Sequence, residues 1–363
     1  MPDSCPTQRG RARPGRPPLA PAFAQALVLS CASEGAGLGE DVPSRILPLV
    51  SASVRPRLVA LGDLLLDVVV APERPIERGT DVPGTLAFRR GGSAANTAVA
   101  FVRQGGAAAL VTSMGDDFWA ARLAASLRAE GVTIHAARHA GPAGRLAALI
   151  DERGERSFVT ERGVADALAP ADLKASWLRG ADVLHVPAYS LFAEPIGTAA
   201  AAAAAMAREA GMMVSTDLSS EGPLLAYGVR RSRARLAALL PDVLFANRAE
   251  AAALLRETGR RAWSRLLAQA ALVVVKDGVW GCRVLWQEEG RTRQVDVAAT
   301  RVGRKLDTTG AGDAFAAGFL HSLLLSGGRE AMDRDQALRR AAMAGHRAAG
   351  GALRRGRPAI QLD

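Results

Sequence analysis

Cysteine is nearly missing from this chain. Cys5, Cys31 and Cys282 form no CxxC pair and have no metal-ligand spacing to any of the five histidines. That excludes a disulfide framework and a zinc site and fits a reducing compartment. Lysine is equally scarce: only Lys174, Lys276 and Lys305 occur, so the net charge of +10 rests on arginines spread along the chain. Aromatic residues make up 4%, and no basic stripe is interleaved with stacking rings, so nucleic acid is not an expected partner. No run of about 18 uncharged apolar residues appears, so no transmembrane helix is expected. A Walker-type GxxxxGK[ST] and a strand-linked GxGxxG are both absent, which disfavours P-loop and Rossmann cofactor sites.

What is present is an apolar chain: 49% of its 363 residues are hydrophobic, enough for a sizeable core in one large α/β domain or two smaller ones. Residues 1–56 differ from the rest. Six prolines between Pro2 and Pro21 alternate with Arg9, Arg11, Arg13 and Arg16, a composition that resists packing. The short apolar stretch from Ala22 to Ser33, with Cys31 inside it, also matches a secretory or lipoprotein signal; a disordered extension, or an upstream start codon, is the preferred reading.

From Arg57 the pattern is ordered. Leu58 to Gly62 reads as a buried strand continued past a bend by Leu64 to Val70. Ser93 to Gln104 reads as a helix, Ala107 to Thr112 as the next strand, and Phe118 to Glu130 as a helix closed by Gly131. Apolar strands ending at Val186, Asp217, Ala246 and Lys276 alternate with Ala-rich helices, which predicts a mostly parallel sheet with helices on both faces. Two strand-like but more polar segments, near 68–90 and 145–160, break this rhythm and are expected to form a small separate sheet.

The most informative segment is Asp307-Thr308-Thr309-Gly310-Ala311-Gly312-Asp313, which runs into the apolar stretch Ala314 to Leu320. Small residues at the start of a buried helix leave main-chain N–H groups open to an anion, and the helix dipole favours negative charge there. A carboxylate at Asp313 beside such an anion is unfavourable for plain stability but suits phosphoryl transfer, the amides holding the phosphoryl group while Asp313 takes the proton of an attacking hydroxyl. The competing reading is a plain helix cap.

This segment resembles the C-terminal signature of the PfkB family of carbohydrate and nucleoside kinases. Gly91-Gly92-Ser93-Ala94-Ala95-Asn96-Thr97-Ala98, through Gly115-Asp116-Asp117-Phe118-Trp119, is similar to the family's N-terminal signature. The resemblance spans Arg57 to Asp363. It implies a ribokinase-like α/β three-layer sandwich with a mostly parallel central sheet and a small β-lid from about 68–90 and 145–160. The implied activity is cytoplasmic, ATP-dependent phosphorylation of a small-molecule alcohol.

Roles implied by the resemblance fall on particular residues. Asp313 is the base, with Gly310, Ala311 and Gly312 as the anion site. Asp67, at the end of Gly62-Asp63-Leu64-Leu65-Leu66-Asp67, binds two substrate hydroxyls, Asp63 being the weaker candidate; Gly91, Gly92 and Asn96 complete the acceptor site. Asn247 and Glu250 match the family's Asn-x-x-Glu and suit Mg²⁺ held through water. Lys276, Gly278 and Gly281 lie in a nucleotide-binding turn, Lys276 reaching a phosphate or else lying in solvent. Asp307 and the Thr309 carbonyl fall where relatives hold a monovalent cation such as K⁺, and Ala342 to Gly351, with His346, lines the adenine pocket.

The chain also departs from ribokinases, which carry a polar residue at the position of Leu65, Gly-Gly-Lys in place of Gly92-Ser93, and an acid near Tyr189. Ribose itself is therefore in doubt. The stretch Glu155 to Gly163 resembles sugar and sugar-acid kinases, and Arg162 is either a carboxylate clamp or a solvated arginine. A sugar or sugar acid is the leading acceptor. A nucleoside stacked on Phe88, Phe158, Tyr189 or Phe192, or a non-catalytic sugar- or nucleotide-binding regulator, stays open, as does a homodimer formed through the lid.

Overall fold

The computed structural model describes residues 55–152, 156–303 and 308–360. Residues 1–54 of the expected extension, and Asp307, therefore lie outside the described residues. In chain order the elements are β1 (Arg57–Leu61), β2 (Leu65–Pro72), β3 (Gly84–Gly91), α1 (Ser93–Arg103), β4 (Ala107–Met114), α2 (Phe118–Ala129), β5 (Thr133–Arg138), β6 (Gly144–Ile150), β7 (Arg156–Glu161) and β8 (Val183–Pro187). There follow α3 (Ala188–Leu191), α4 (Ile196–Glu209), β9 (Met213–Asp217), α5 (Glu221–Tyr227), α6 (Val229–Leu239), β10 (Val243–Asn247), α7 (Arg248–Leu255), β11 (Leu272–Lys276), β12 (Cys282–Glu288), β13 (Arg291–Val297), α8 (Ala311–Leu325) and α9 (Asp335–Arg355).

Nine strands form the main sheet in the order β13-β12-β11-β10-β9-β8-β1-β4-β5. The strands from β11 to β5 run parallel, and β12 and β13 add an antiparallel hairpin at one edge. Alternation along β1 divides the core: Leu58 and Ala60 face α1, α2, α8 and α9, while Val59 and Leu61 face the layer of α3 to α7. Both faces are thus covered, as parallel strands without polar alternation require. Helices α8 and α9 approach closely because Gly318 has no side chain; a Cβ there would lie 2.8 Å from the Ala344 carbonyl oxygen. The rings of Phe245 and Phe319, 5.4 Å apart and edge to face, anchor α8 on the sheet.

The two polar segments expected to stand apart do so, as a second sheet of order β3-β2-β6-β7. Register aligns Arg89, Asp67, Leu146 and Thr160 in one row and Val69, Ala148 and Phe158 in the next, all on one face. The opposite face carries Leu86 and Val159, 65% and 67% exposed. The sequence pattern missed β5, β12 and β13: β5 alternates too weakly, and β13 carries polar, solvated residues on an edge.

Candidate active site

In the main sheet β1 lies between β4 and β8, so the chain steps to one side after β1 and to the other after β5. Such a switch point leaves a crevice at the carboxyl ends of the strands. Asp63 follows β1, Tyr189 follows β8, and Asp217, Asn247 and Lys276 end β9, β10 and β11. All five line one cavity of about 1040 Å³, whose other wall is the inner face of the small sheet.

Asp313 lies at the third position of α8, whose N-cap, Gly310, has φ +79°. The first turn of a helix has N–H groups without intrahelical acceptors, and Gly310 to Asp313 all line this cavity. The Asp313 carboxylate is held from the other signature: Ser93 Oγ donates to Oδ1 at 2.5 Å and Asn96 Nδ2 to Oδ2 at 3.0 Å. Burial pushes its carboxyl up to about 6; the Ser93 and Asn96 bonds oppose that rise and the Asp217 charge adds to it. A carboxyl near 6 is matched to proton abstraction at neutral pH. Ser93 was not singled out by the sequence, although its place between Gly92 and Asn96 was signal enough.

Lys276 is neither solvated nor directed outward. Its side chain is half-buried on the cavity lining, 15% exposed, and paired with the buried Asp217. Burial opposes its charge, but Asp217 and Glu250 outweigh that and hold its pKa above the ordinary value. Asn247 and Glu250 form a capping box: Glu250 N–H donates to Asn247 Oδ1 at 2.9 Å, and Asn247 N–H to Glu250 Oε2 at 2.7 Å. The acid is buried rather than at the surface, and burial raises its carboxyl well above the usual range, with Asp217 and Asp313 adding to that. Asp217 closed a strand in the sequence reading without being assigned a role.

At the small-sheet end, Asp67 is buried and accepts a hydrogen bond from Arg357 Nη1, which excludes the solvated-turn alternative. A Cβ on Gly91 would lie 2.0 Å from Asp67 Oδ1, and one on Gly92, where φ is +99°, 2.2 Å from the Asp63 carbonyl oxygen. Both glycines are thus required by close approach. Arg162 bonds Asp63 Oδ2 at 3.1 Å and forks onto Asp166 at 2.9 and 2.5 Å. It lines the cavity through an ion-pair network rather than as a solvated arginine. Asp63, ranked behind Asp67 on sequence, is the more deeply buried, and its Oδ1 has no hydrogen-bond partner among the described residues. Arg357 carried no sequence signal.

Gly278 opens onto the cavity with φ +59° and no atom near its absent Cβ; Gly281 is also backed by β13, a Cβ there meeting the Val297 carbonyl oxygen at 2.0 Å. His346, Ala349 and Gly350 of α9 line the same end. Thr309 Oγ1 accepts a hydrogen bond from Arg156 of β7. His185 is a core histidine, fully buried, its Nδ1 2.9 Å from Ser215 Oγ.

The model of the pfkB family of carbohydrate kinases matches residues 55–356. The chain belongs to that family. It is 33% identical over 277 residues to the ATP-dependent ribose-1-phosphate kinase of Halopiger xanaduensis, covering 75% of this chain and 86% of that one. It is 31% identical over 303 residues to probable fructokinase-7 of Arabidopsis thaliana, covering 79% and 85%. Among solved structures, adenosine kinase from Sinorhizobium meliloti superposes with a TM-score of 0.72 at 26% identity, covering 83% of this chain and 95% of that one. Ribokinase from Giardia lamblia shares the fold, with a TM-score of 0.70 at 20% identity over 83% and 93%. The match spans both of the segments that meet at Asp313. Among the described residues no helix is long and apolar enough to cross a membrane.

Proposed function

We propose that this carbohydrate kinase transfers the terminal phosphoryl group of ATP to a hydroxyl of a small sugar or sugar acid, with Asp313 as general base. The observation that carries this reading is the position of Asp313: a half-buried carboxylate in the first turn of α8, on the cavity lining and oriented by Ser93 and Asn96. An acceptor hydroxyl facing it loses its proton to the carboxylate as the oxygen attacks the terminal phosphorus, whose bond to the β,γ-bridging oxygen breaks and releases ADP. The amides of Gly310, Ala311 and Gly312 take up the charge of the transferred group.

Asp67, Gly91, Gly92, Asn96 and Arg162 form the acceptor end, and Asn247, Lys276, Gly278, Gly281 and Gly312 the nucleotide end. Around Lys276, Asp217, Glu250 and Asp313 set three carboxyl groups against one ammonium, while the arginines of the cavity lie elsewhere on its lining. That excess fits a hydrated Mg²⁺ near Asn247 and Glu250, which would neutralise phosphate charge. A monovalent cation at Asp307 and the Thr309 carbonyl belongs to the same reading. The small sheet is the lid, and its outer Leu86 and Val159 suit a pairing of two copies.

The sugar acceptor is supported by the ribose-1-phosphate kinase and fructokinase relatives. A nucleoside acceptor is the second reading, favoured by Phe158 and Tyr189 on the cavity wall and by the adenosine kinase neighbour. ADP release across sugars, sugar acids and nucleosides separates the two. Asp313→Asn is expected to lower turnover by roughly 10²–10⁴; near-normal turnover in that variant sinks the mechanism.

A further inference from the structure

Lys276 and Asp217 stand on strands separated by β10, whose register sets Asn247 beside Lys276 and Phe245 beside Asp217. The lysine side chain therefore crosses the end of β10 to reach its partner. Asp217 is itself fixed: its Oδ1 accepts the Ser219 N–H at 3.0 Å, and Ser219 Oγ donates back to the Asp217 carbonyl at 2.9 Å. Ser219 takes φ +59°, a conformation that few non-glycine residues adopt. The held ammonium lies at the first turn of α8, so close that a Cβ on Gly312 would be 3.3 Å from Lys276 Nζ.

We propose that Asp217 is a positioning residue, holding the Lys276 ammonium against the amides of Gly310 to Gly312 so that it meets the phosphoryl group in transfer. The proposal rests on the kinase reading and adds to it a residue that acts through another. A lysine this long is mobile unless anchored; the carboxylate removes that freedom before nucleotide arrives. It also gives a role to an ion pair that is weak evidence for stability by itself.

The pair sets the charge around Asp313 as well. That carboxylate bonds Ser93 and Asn96 from α1 and feels Glu250 from α7, Asp217 from β9, Lys276 from β11 and Tyr189, while Asp63, Asp67, Arg89, Arg156, Arg162, Arg301, His346 and Arg357 line the same cavity. Asp217 raises its pKa and Lys276 lowers it. Neutralising each partner therefore moves the acid limb of the pH–rate profile in opposite directions.

The test uses the full chain carrying Asp217→Asn, Lys276→Met or both, with ADP release measured from pH 5 to 9. Asp217→Asn is expected to lower kcat about tenfold to a hundredfold with acceptor KM nearly unchanged and to move the acid limb to lower pH; Lys276→Met lowers kcat and moves it to higher pH. The double variant is no slower than Lys276→Met alone. A full additive loss in the double variant, or an acid limb that rises in Asp217→Asn, overturns the proposal.

A second readout needs no turnover. Because the chain has only three lysines, acylation of Lys276 can be followed by mass spectrometry, with Lys174, over the Trp177 ring, as reference. Asp217→Asn is expected to shift Lys276 labelling to lower pH, and an unchanged profile overturns the proposal. A shifted profile in a chain that forms no ADP with any acceptor would instead overturn the kinase reading alone.

Discussion

Ser93 Oγ donates to Asp313 Oδ1 at 2.5 Å, across 220 residues of sequence. The bond ties the start of α1 to the first turn of α8 and selects one orientation of the carboxylate. Hydrogen bonds to the charged form lower a carboxyl pKa, so Ser93 restrains the rise that burial imposes. Ser93→Ala is expected to move the acid limb of kcat/KM to higher pH, with turnover falling more at pH 6 than at pH 8. An unshifted limb would mean that Ser93 does not bond the ionised acid.

Asp313 also makes stability depend on pH. Its folded pKa of about 6 exceeds its ordinary value, so the folded state binds the proton more tightly than the unfolded chain. Its contribution is full below the unfolded pKa and is lost as pH rises through about 6. Asp313→Asn removes the cost of a buried charge, so its Tm at pH 8 is expected to exceed that of the parent by roughly 2–4 °C, the difference shrinking below pH 6 and closing only below the ordinary carboxyl value of 3.8. Equal melting at pH 8 would contradict a desolvated carboxylate.

Gly91→Ala tests the acceptor end. Its Cβ would fall 2.0 Å from Asp67 Oδ1 and 2.5 Å from Cγ, so the carboxylate must swing away. Acceptor KM is expected to rise ~10-fold or more, as misplaced binding groups do, while the KM for ATP stays close to its parent value. Equal effects on both substrates would remove Asp67 from the acceptor site.

Arg357→Met takes a cation from the buried Asp67 carboxylate. Breaking a buried pair on one side costs roughly 3–5 kcal/mol, which urea unfolding at pH 7.5 would read. Asp67→Asn in the same chain is expected to recover part of the loss, because the buried group is then neutral. No recovery would show that Arg357 acts through packing alone.

Much of this was legible in the chain itself. The Gly310 to Asp313 segment opens a buried helix because small residues precede an apolar run, and the strands read as ending at Asp217, Ala246 and Lys276 were bounded by helical stretches. The separate sheet showed as polar alternation. Ser93, Asp217 and Arg357 were not chosen, since a serine in a glycine turn, an acid at a strand end and an arginine near the C-terminus each have ordinary surface explanations. Asn247 and Glu250 were read as a metal pair; the fold uses them first as a capping box.

Order along the chain thus determined the family, the alternation of strand and helix, and the segment that carries the acid. Only the tertiary structure decided that Ser93 holds Asp313, that Asp217 holds Lys276 and that Arg357 covers Asp67. Local pattern reports the environment along one element, whereas these pairings depend on which strand ends share an edge and on how far burial removes each charge from water.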